Sequence, residues 1–367
     1  MKKMLGYYLK SRWHVVLIIS LILMLITFIS LFDVNFIYRY EYYDEYDQLV
    51  NIVRAENSPF ATMAVFAAIL STLVVVFEFY FKMRKVNIDQ IYALPIKREK
   101  IYLSKLIVCL AEVIIPLTLS FILSVVMVAI KPHMFELIYF IPYYFGLIFL
   151  VCVLVCSFAF VYTRANTFFD GLINMLMYTL VLVFVFMLIT DVFAIGSYKF
   201  GDPSYFFIYS PITVFCSNMN DLFCGRITNL KPAGIMSFVV FIVFGLLSLW
   251  LFVKLNKEEA SENCTQVSSS YFSYKTMIPI FSLIFFAFSV LEAGLVALTF
   301  TLIFTYLFFV IYKRTFKLNK KEYIIIALLL VVGIALGLVS NAIHEAIIND
   351  RYKAYEILCN TFYRFHL

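Results

Sequence analysis

Charge is scarce in this sequence. Asp, Glu, Lys and Arg make up 14% of its 367 residues, against roughly 25% in a soluble domain. The residue groupings that carry catalysis are missing as well. The four histidines, His14, His133, His344 and His366, lie far apart, no H-E-x-x-H occurs, and no Cys/His grouping has metal-ligand spacing. There is no G-x-S-x-G nucleophile turn. Gly-Lys-Ser/Thr is also absent, so the phosphate cradle of a Walker A loop cannot form. These absences exclude the common hydrolase and ATPase arrangements. The chain is expected to be no enzyme and to hold neither cofactor nor metal. Its seven cysteines include no C-x-x-C. Cys109, Cys152 and Cys156 lie inside apolar runs and read as packing residues. Cys216 and Cys224 share one loop and can pair if that loop is extracellular.

What is present is apolar. Hydrophobic residues make up 63% of the chain and mean hydropathy is +0.94. A soluble fold of this length could not cover so much apolar surface, whereas lipid accepts it. The charges cluster between apolar runs of about 20 residues, the length that spans a hydrocarbon core of roughly 30 Å. In lipid each backbone N–H and C=O must be paired within its own segment, so such runs are helices. A barrel would show alternation in segments of about 10 residues, which these runs lack. The fold class is therefore an all-α, polytopic transmembrane helix bundle.

The runs place spans near residues 13–32, 60–81, 103–130, 137–162, 171–193 and 235–253, with a C-terminal set near 277–291, 294–312 and 323–343. Leu291-Glu292-Ala293-Gly294 reads as the turn that divides the stretch 277–312 into two. Nine spans leave 20 of the 29 Lys/Arg on one side, in 1–12, 82–105, 163–169, 254–276 and 313–322. The positive-inside rule makes that side, and the N-terminus, cytoplasmic. The net charge of +6 thus belongs to the bilayer surface rather than to nucleic acid. Lys2, Lys3, Lys10 and Arg12 precede a first run too long for a signal-peptide core and without a small-residue cleavage site, so it is expected to be retained.

Five regions follow: an amphipathic cytoplasmic segment (1–12), a six-span core (13–254), a cytoplasmic linker (255–276), C-terminal spans (277–343) and a tail (344–367). Of the two long outer loops, 33–59 is acidic and tyrosine-rich, an interfacial aromatic belt or a recognition surface for a cationic substrate. The other, 194–234, is too apolar for a free loop and too broken by Gly201, Pro203 and Pro211 for a span. Short helices dipping into the outer leaflet would explain it.

Ionisable residues within spans are functional suspects, because a charge at mid-bilayer costs roughly 2.5–3.5 kcal/mol on insertion scales. Glu78 and Asp170 lie within about a turn of a cytoplasmic end, where snorkelling and interfacial solvation account for them. Glu112 lies deeper, four residues before Pro116, and is a candidate intramembrane polar site, either lining a bundle interior or bonding a neighbouring helix. A lone acid is too little for a proton-coupled carrier.

The most informative stretch is the loop between spans two and three. Val86, Gln90, Ile91 and Leu94 share a stripe of a short basic helix over residues 84–94 that Pro95 ends. The run Leu94-Pro95-Ile96-Lys97-Arg98, with Lys105 seven residues after Arg98, resembles the first cytoplasmic loop of ABC-2-type exporter permeases of bacteria. The resemblance implies a coupling helix that contacts an ATPase, with Arg84, Ile88, Ile91, Leu94, Pro95, Arg98 and Lys105 as its residues. Segment 1–12 then resembles the family's connecting helix, and the turn 163–169 its second cytoplasmic loop. Lys257-Glu258-Glu259-Ala260-Ser261-Glu262 is similar to the R-x-x-E-x-A-G-type stretch of a Gram-positive branch linked to peptide-antibiotic resistance, without its glycine and with Lys257 for its arginine. The resemblance implies a permease subunit in the bacterial cell membrane. Its partners would be separate ABC ATPase subunits, which hold the ATP and Mg, and a second permease chain, in a homodimer or heterodimer. Competing readings are a non-transporting membrane scaffold or sensor component, and a secondary transporter. The latter would show paired Gly/Pro-broken spans in two halves, which Pro116, Pro142 and Pro279 do not form.

Overall fold

A computed structural model describes residues 2–32, 37–43, 49–55, 58–132, 138, 140–192, 232–257, 264, 266, 268, 270–292 and 294–365. Its helices are α1 (Lys2–Phe32), α2 (Ser58–Phe79), α3 (Lys85–Tyr92), α4 (Arg98–Ile130), α5 (Phe140–Thr163), α6 (Phe168–Val192), α7 (Pro232–Leu255), α8 (Tyr274–Glu292), α9 (Gly294–Lys313) and α10 (Lys320–Phe365). Among the described residues, seven stretches, in α1, α2, α4, α5, α6, α9 and α10, are long and apolar enough to cross a membrane, and α7 and α8 hold shorter apolar helices. The chain is a multi-pass helical membrane protein. Each of the nine apolar runs read from the sequence coincides with one of these nine helices.

Three features go beyond that pattern. First, α1 runs unbroken from Lys2 to Phe32, through both the 1–12 segment and the first span. Second, the loop between α1 and α2 contains an antiparallel hairpin, β1 (Ile37–Tyr43) paired with β2 (Leu49–Ala55) in the register Ile37↔Ala55 to Tyr43↔Leu49. Tyrosine, valine and isoleucine favour such strands. Third, α10 extends over 46 residues, about 69 Å at 1.5 Å per residue. Residues 194–231 of the second outer loop, with Cys216 and Cys224, and residues 258–262 of the linker lie outside the described residues; residues 232–234 open α7.

The helices belong to two compact units. One holds α1 to α5 with most of α7. There α1 meets α4 through a hydrogen bond between the hydroxyls of Thr27 and Ser120. Thr118 of α4 bonds the Tyr144 hydroxyl of α5 at 2.8 Å, and Phe121 stacks on the same ring. Lys131 donates to the carbonyls of Leu31 and Phe32, satisfying the open C-terminal end of α1. Hydroxyl and amine bonds of this kind matter where no water can substitute for them.

The second unit holds α6 beyond Gly171 with α8, α9 and α10. Its core joins Met177 of α6, Met277, Ile278, Phe281 and Phe286 of α8, Phe309 of α9, and Ile326 and Leu329 of α10. Glu292 ends α8 and Gly294 opens α9 at φ +63°, a left-handed conformation that glycine adopts without steric cost. The stretch 277–312 is therefore divided into two helices where the sequence places a turn. Ser289 and Thr301 then tie the two helices at 2.8 Å.

The tightest contact in this unit is between α8 and α10. A Cβ at Gly337 would lie 2.7 Å from the Ala287 carbonyl oxygen, and one at Gly333 would lie 2.4 Å from the Phe286 Cβ. Small residues spaced four apart let two helix backbones approach where lipid gives no hydrophobic drive. This G-x-x-x-G is thus spent within the chain. Gly337→Val must push back α8 backbone, so it is expected to destabilise this unit by about 1–3 kcal/mol, typical of overpacking. Thermal unfolding of the purified chain, with Gly6→Val as a control in open space, measures it.

Candidate functional site

The residues singled out in the sequence converge on one end of the first unit, where α2 hands over to α3 and α4. After α2 a single turn of 3-10 helix, Tyr80–Met83, redirects the chain. Arg84 is extended, and α3 follows over eight residues. Pro95 stands where the sequence places a helix stop: Ala93 and Leu94 still donate to the carbonyls of Asp89 and Ile91, whereas Ile96 donates to Leu94 across the proline. α4 begins two residues later at Arg98.

This short helix is clamped on one side and open on the other. Ile88 is 1% exposed. The Tyr92 hydroxyl bonds that of Tyr102 in α4 at 2.9 Å, and the Arg98 guanidinium lies 4.5 Å over the Tyr92 ring. Arg84 donates to the Tyr80 hydroxyl and lies over the same ring. Alongside, Phe79, Tyr102 and Phe252 pack edge-to-face and stacked, all buried, joining the ends of α2, α4 and α7. Outside, Val86 is 69% exposed and Leu94 43% exposed, with Gln90 and Pro95 exposed beside them. Of the residues assigned by resemblance to ATPase contact, Arg84, Leu94 and Pro95 are on the surface and Ile91 is half-buried. Arg98 is half-buried as the clamp to Tyr92. Ile88 and Lys105 are inside. An outward face of Val86, Gln90 and Leu94 matches the sequence stripe; Ile91 belongs to its flank.

Beneath this element lies a charge network that the sequence did not announce. Both oxygens of Glu78 in α2 are taken, Oε1 by Arg12 Nε of α1 at 2.7 Å and Oε2 by Lys105 Nζ of α4 at 2.6 Å. Glu78 is 2% exposed, so it does not snorkel to water as its place near a span end suggests. Protein cations substitute for solvent, and the same acid joins three helices. Lys105 also lies 4.6 Å over the Tyr8 ring. Asp170 is buried too, in the first turn of α6, where the helix dipole favours an acid. The partners of Glu78 are 66 and 27 residues away in sequence, beyond the reach of any local pattern.

Further polar contacts close this end of the unit. Lys82, buried, donates to the Thr163 carbonyl at the C-terminus of α5, and Cys264 donates to the carbonyl of Lys82 at 3.4 Å. Arg164 in the turn after α5 donates to Asn256 just past α7. Lys257 pairs with Glu99 at 3.1 Å on the surface. Glu112, two turns along α4 from Lys105, is 3% exposed, and its Oε1 has no hydrogen-bond partner among the described residues. Among the described residues no group of three His, Cys, Asp or Glu side chains could hold a metal.

Removing one member of a buried ion pair leaves an uncompensated charge, at about 3–5 kcal/mol. Lys105→Met leaves Arg12 on one oxygen of Glu78, so it is expected to lower stability by about 3 kcal/mol, the lower end of that range. Replacing Glu78 as well, in Lys105→Met with Glu78→Met, should recover most of the loss. Thermal unfolding of the single and double variants in one detergent decides this. No protein-family model, curated protein or solved structure matches the chain, so function is argued from its own geometry.

Proposed function

We propose that the chain is the transmembrane permease subunit of an ABC-type exporter, coupled through α3 to a separate ATPase subunit. The observation that carries this reading is a short helix between two membrane-spanning helices, fastened to them from within and exposing Val86, with Leu94 just beyond its end, on the outer side. Ile88, the Tyr92–Tyr102 bond and the Arg98–Tyr92 stack hold it, while Val86 and Leu94 remain uncovered. An exposed apolar pair flanked by Arg84, Lys85 and Lys97 suits a groove with an acidic rim. A push on a helix so fastened passes to α2 and α4 as a rigid body. ATP bound to the partner would supply the differential binding that a two-state shift needs. In this reading the α3 end faces the cytoplasm, as the basic loops require, and two permease chains act with two ATPase subunits in a bacterial cell membrane.

The test is recovery of an ATPase with the tagged chain from native membranes, assayed by ATP hydrolysis of the eluate. A Walker-containing subunit is expected to co-purify. Val86→Asp with Leu94→Asp, both on the open face, should reduce it roughly tenfold or more, the scale of losing a central interface contact. Arg84→Glu should weaken it less. Arg98 is a poorer probe, because its reversal also breaks the stack on Tyr92. A monodisperse chain that recovers no ATPase from its native membrane overturns the proposal.

A further inference from the structure

The turn that joins α9 to α10 sets a bare phenylalanine among cations. Arg314, Lys317, Lys320 and Lys321 are all exposed, and Phe316 is 78% exposed. One exposed apolar side chain is ordinary on any surface, so its position decides what it means. α9 ends at Lys313, and Arg314 takes φ 54°, a left-handed conformation that reverses a chain just past a helix end. The reversal brings the Phe316 carbonyl to the Tyr306 hydroxyl, which donates to it at 2.8 Å. Tyr306 lies about 10 Å of helix before the end of α9. The turn therefore folds back beside the last turns of α9 instead of standing out in water. Leu318 packs inward, on the core cluster that includes Tyr274 and Ile326. Phe316 stays outside, at the level where an apolar, membrane-crossing helix meets the headgroups.

The charge balance of the turn calls for an anion from outside the chain. Between Leu295 and His344 the sequence has a single carboxylate, Glu322. It is buried and both its oxygens are engaged, Oε1 by Lys313 Nζ at 3.1 Å and Oε2 by the Asn319 backbone N–H at 2.6 Å. With Glu322 spent on Lys313 and on the turn itself, residues 314–321 contain four cations and no acid. These contacts, with the Thr315 hydroxyl on the Lys317 carbonyl at 3.3 Å, display the cations and the ring on a fixed frame. Tyr323 and Ile324, both exposed, continue the apolar surface into α10. An acidic protein would reach the cations from the water side. A ring held at the bilayer edge is met first by acyl chains, and a phospholipid presents phosphate and acyl chain in the same order as the lysines and the ring.

We propose that the α9–α10 turn binds an anionic phospholipid, with Arg314, Lys317, Lys320 and Lys321 around the headgroup phosphate and Phe316 against the acyl chains. Bound lipid fastens the connection between two spanning helices to one leaflet, the one that the basic loops mark as cytoplasmic. The inference concerns the second unit alone and stands whether or not α3 meets an ATPase.

Native mass spectrometry of the full chain in detergent counts the lipids retained as phosphatidylglycerol or phosphatidylcholine of the same acyl chains is added. A Lys or Arg at an anionic surface contributes about fivefold, so phosphatidylglycerol is expected to be retained at roughly tenfold lower concentration, or less. Lys317→Gln with Lys320→Gln and Lys321→Gln should abolish that preference. Lys2→Gln with Lys3→Gln and Lys10→Gln, an equal loss of charge elsewhere, should leave it in place. Phe316→Ser should keep the preference but weaken retention of phosphatidylglycerol about tenfold. No preference in the wild-type chain overturns the proposal, as does a preference that survives in the turn variant or falls equally in both triple variants. Retention of polyglutamate without a preference for phosphatidylglycerol would give the turn to an acidic protein and overturn it too. If the turn variant does not fold, Lys317→Gln alone takes its place, and an unchanged preference there overturns the proposal equally.

Discussion

A carboxylate enclosed by three apolar helices must find its counter-charges within the protein, and the first unit is organised around that requirement. Glu78 takes a guanidinium from α1 on one oxygen and an ammonium from α4 on the other. The desolvation of these ions is expensive, so the arrangement is evidence of specificity more than of net stability. An ion pair has only one acceptable geometry when water is excluded. A slip of either neighbour along α2 by one turn would strand a charge, whereas leucine against leucine would tolerate it. The register so fixed sets the level of every other polar contact along α4, from the Tyr92–Tyr102 bond at one end to Thr27–Ser120 towards the other.

The same register joins the surface to the interior. Lys105 meets Glu78 two turns into the helix that Arg98 opens, and Arg98 clamps the short helix α3 through Tyr92. The exposed face of α3 and the buried face of α4 are therefore consecutive stretches of one rigid path. Movement of α3 cannot be absorbed in a flexible linker, because the intervening turn around Pro95 is closed by its own backbone hydrogen bonds.

The sequence made the helices legible because lipid imposes a length. Runs near 20 apolar residues and basic clusters between them mark where helices begin and end, and Gly294 marked a turn that composition alone would have merged. Pro95 and the stripe of Val86, Gln90 and Leu94 likewise announced a short helix with an open face. Pairings between distant residues stayed hidden. Nothing local tells that Arg12 meets Glu78, so Glu78 read as a solvated end residue. Gly333 and Gly337 resemble any helical glycines until Ala287 is known to lie against them. The hairpin between α1 and α2 was masked by its acidic residues, which suggested a loop although its tyrosines and valines pair across two strands. Periodicity records what faces lipid or core, and it carries no information on which partner supplies the core.

The length of α10 has a mechanical meaning of its own. Its apolar part, Lys320–Ile347, already accounts for about 42 Å, and the helical remainder to Phe365 adds about 27 Å. A helix satisfies its own backbone hydrogen bonds throughout that distance. Gly333 and Gly337 fasten it to α8 partway along, and the helix continues for about 42 Å beyond that contact, which serves as a fulcrum. A small sideways force at the far tip would be delivered to the α8 contact with mechanical advantage, and a small tilt at that contact would sweep the tip through a wide arc.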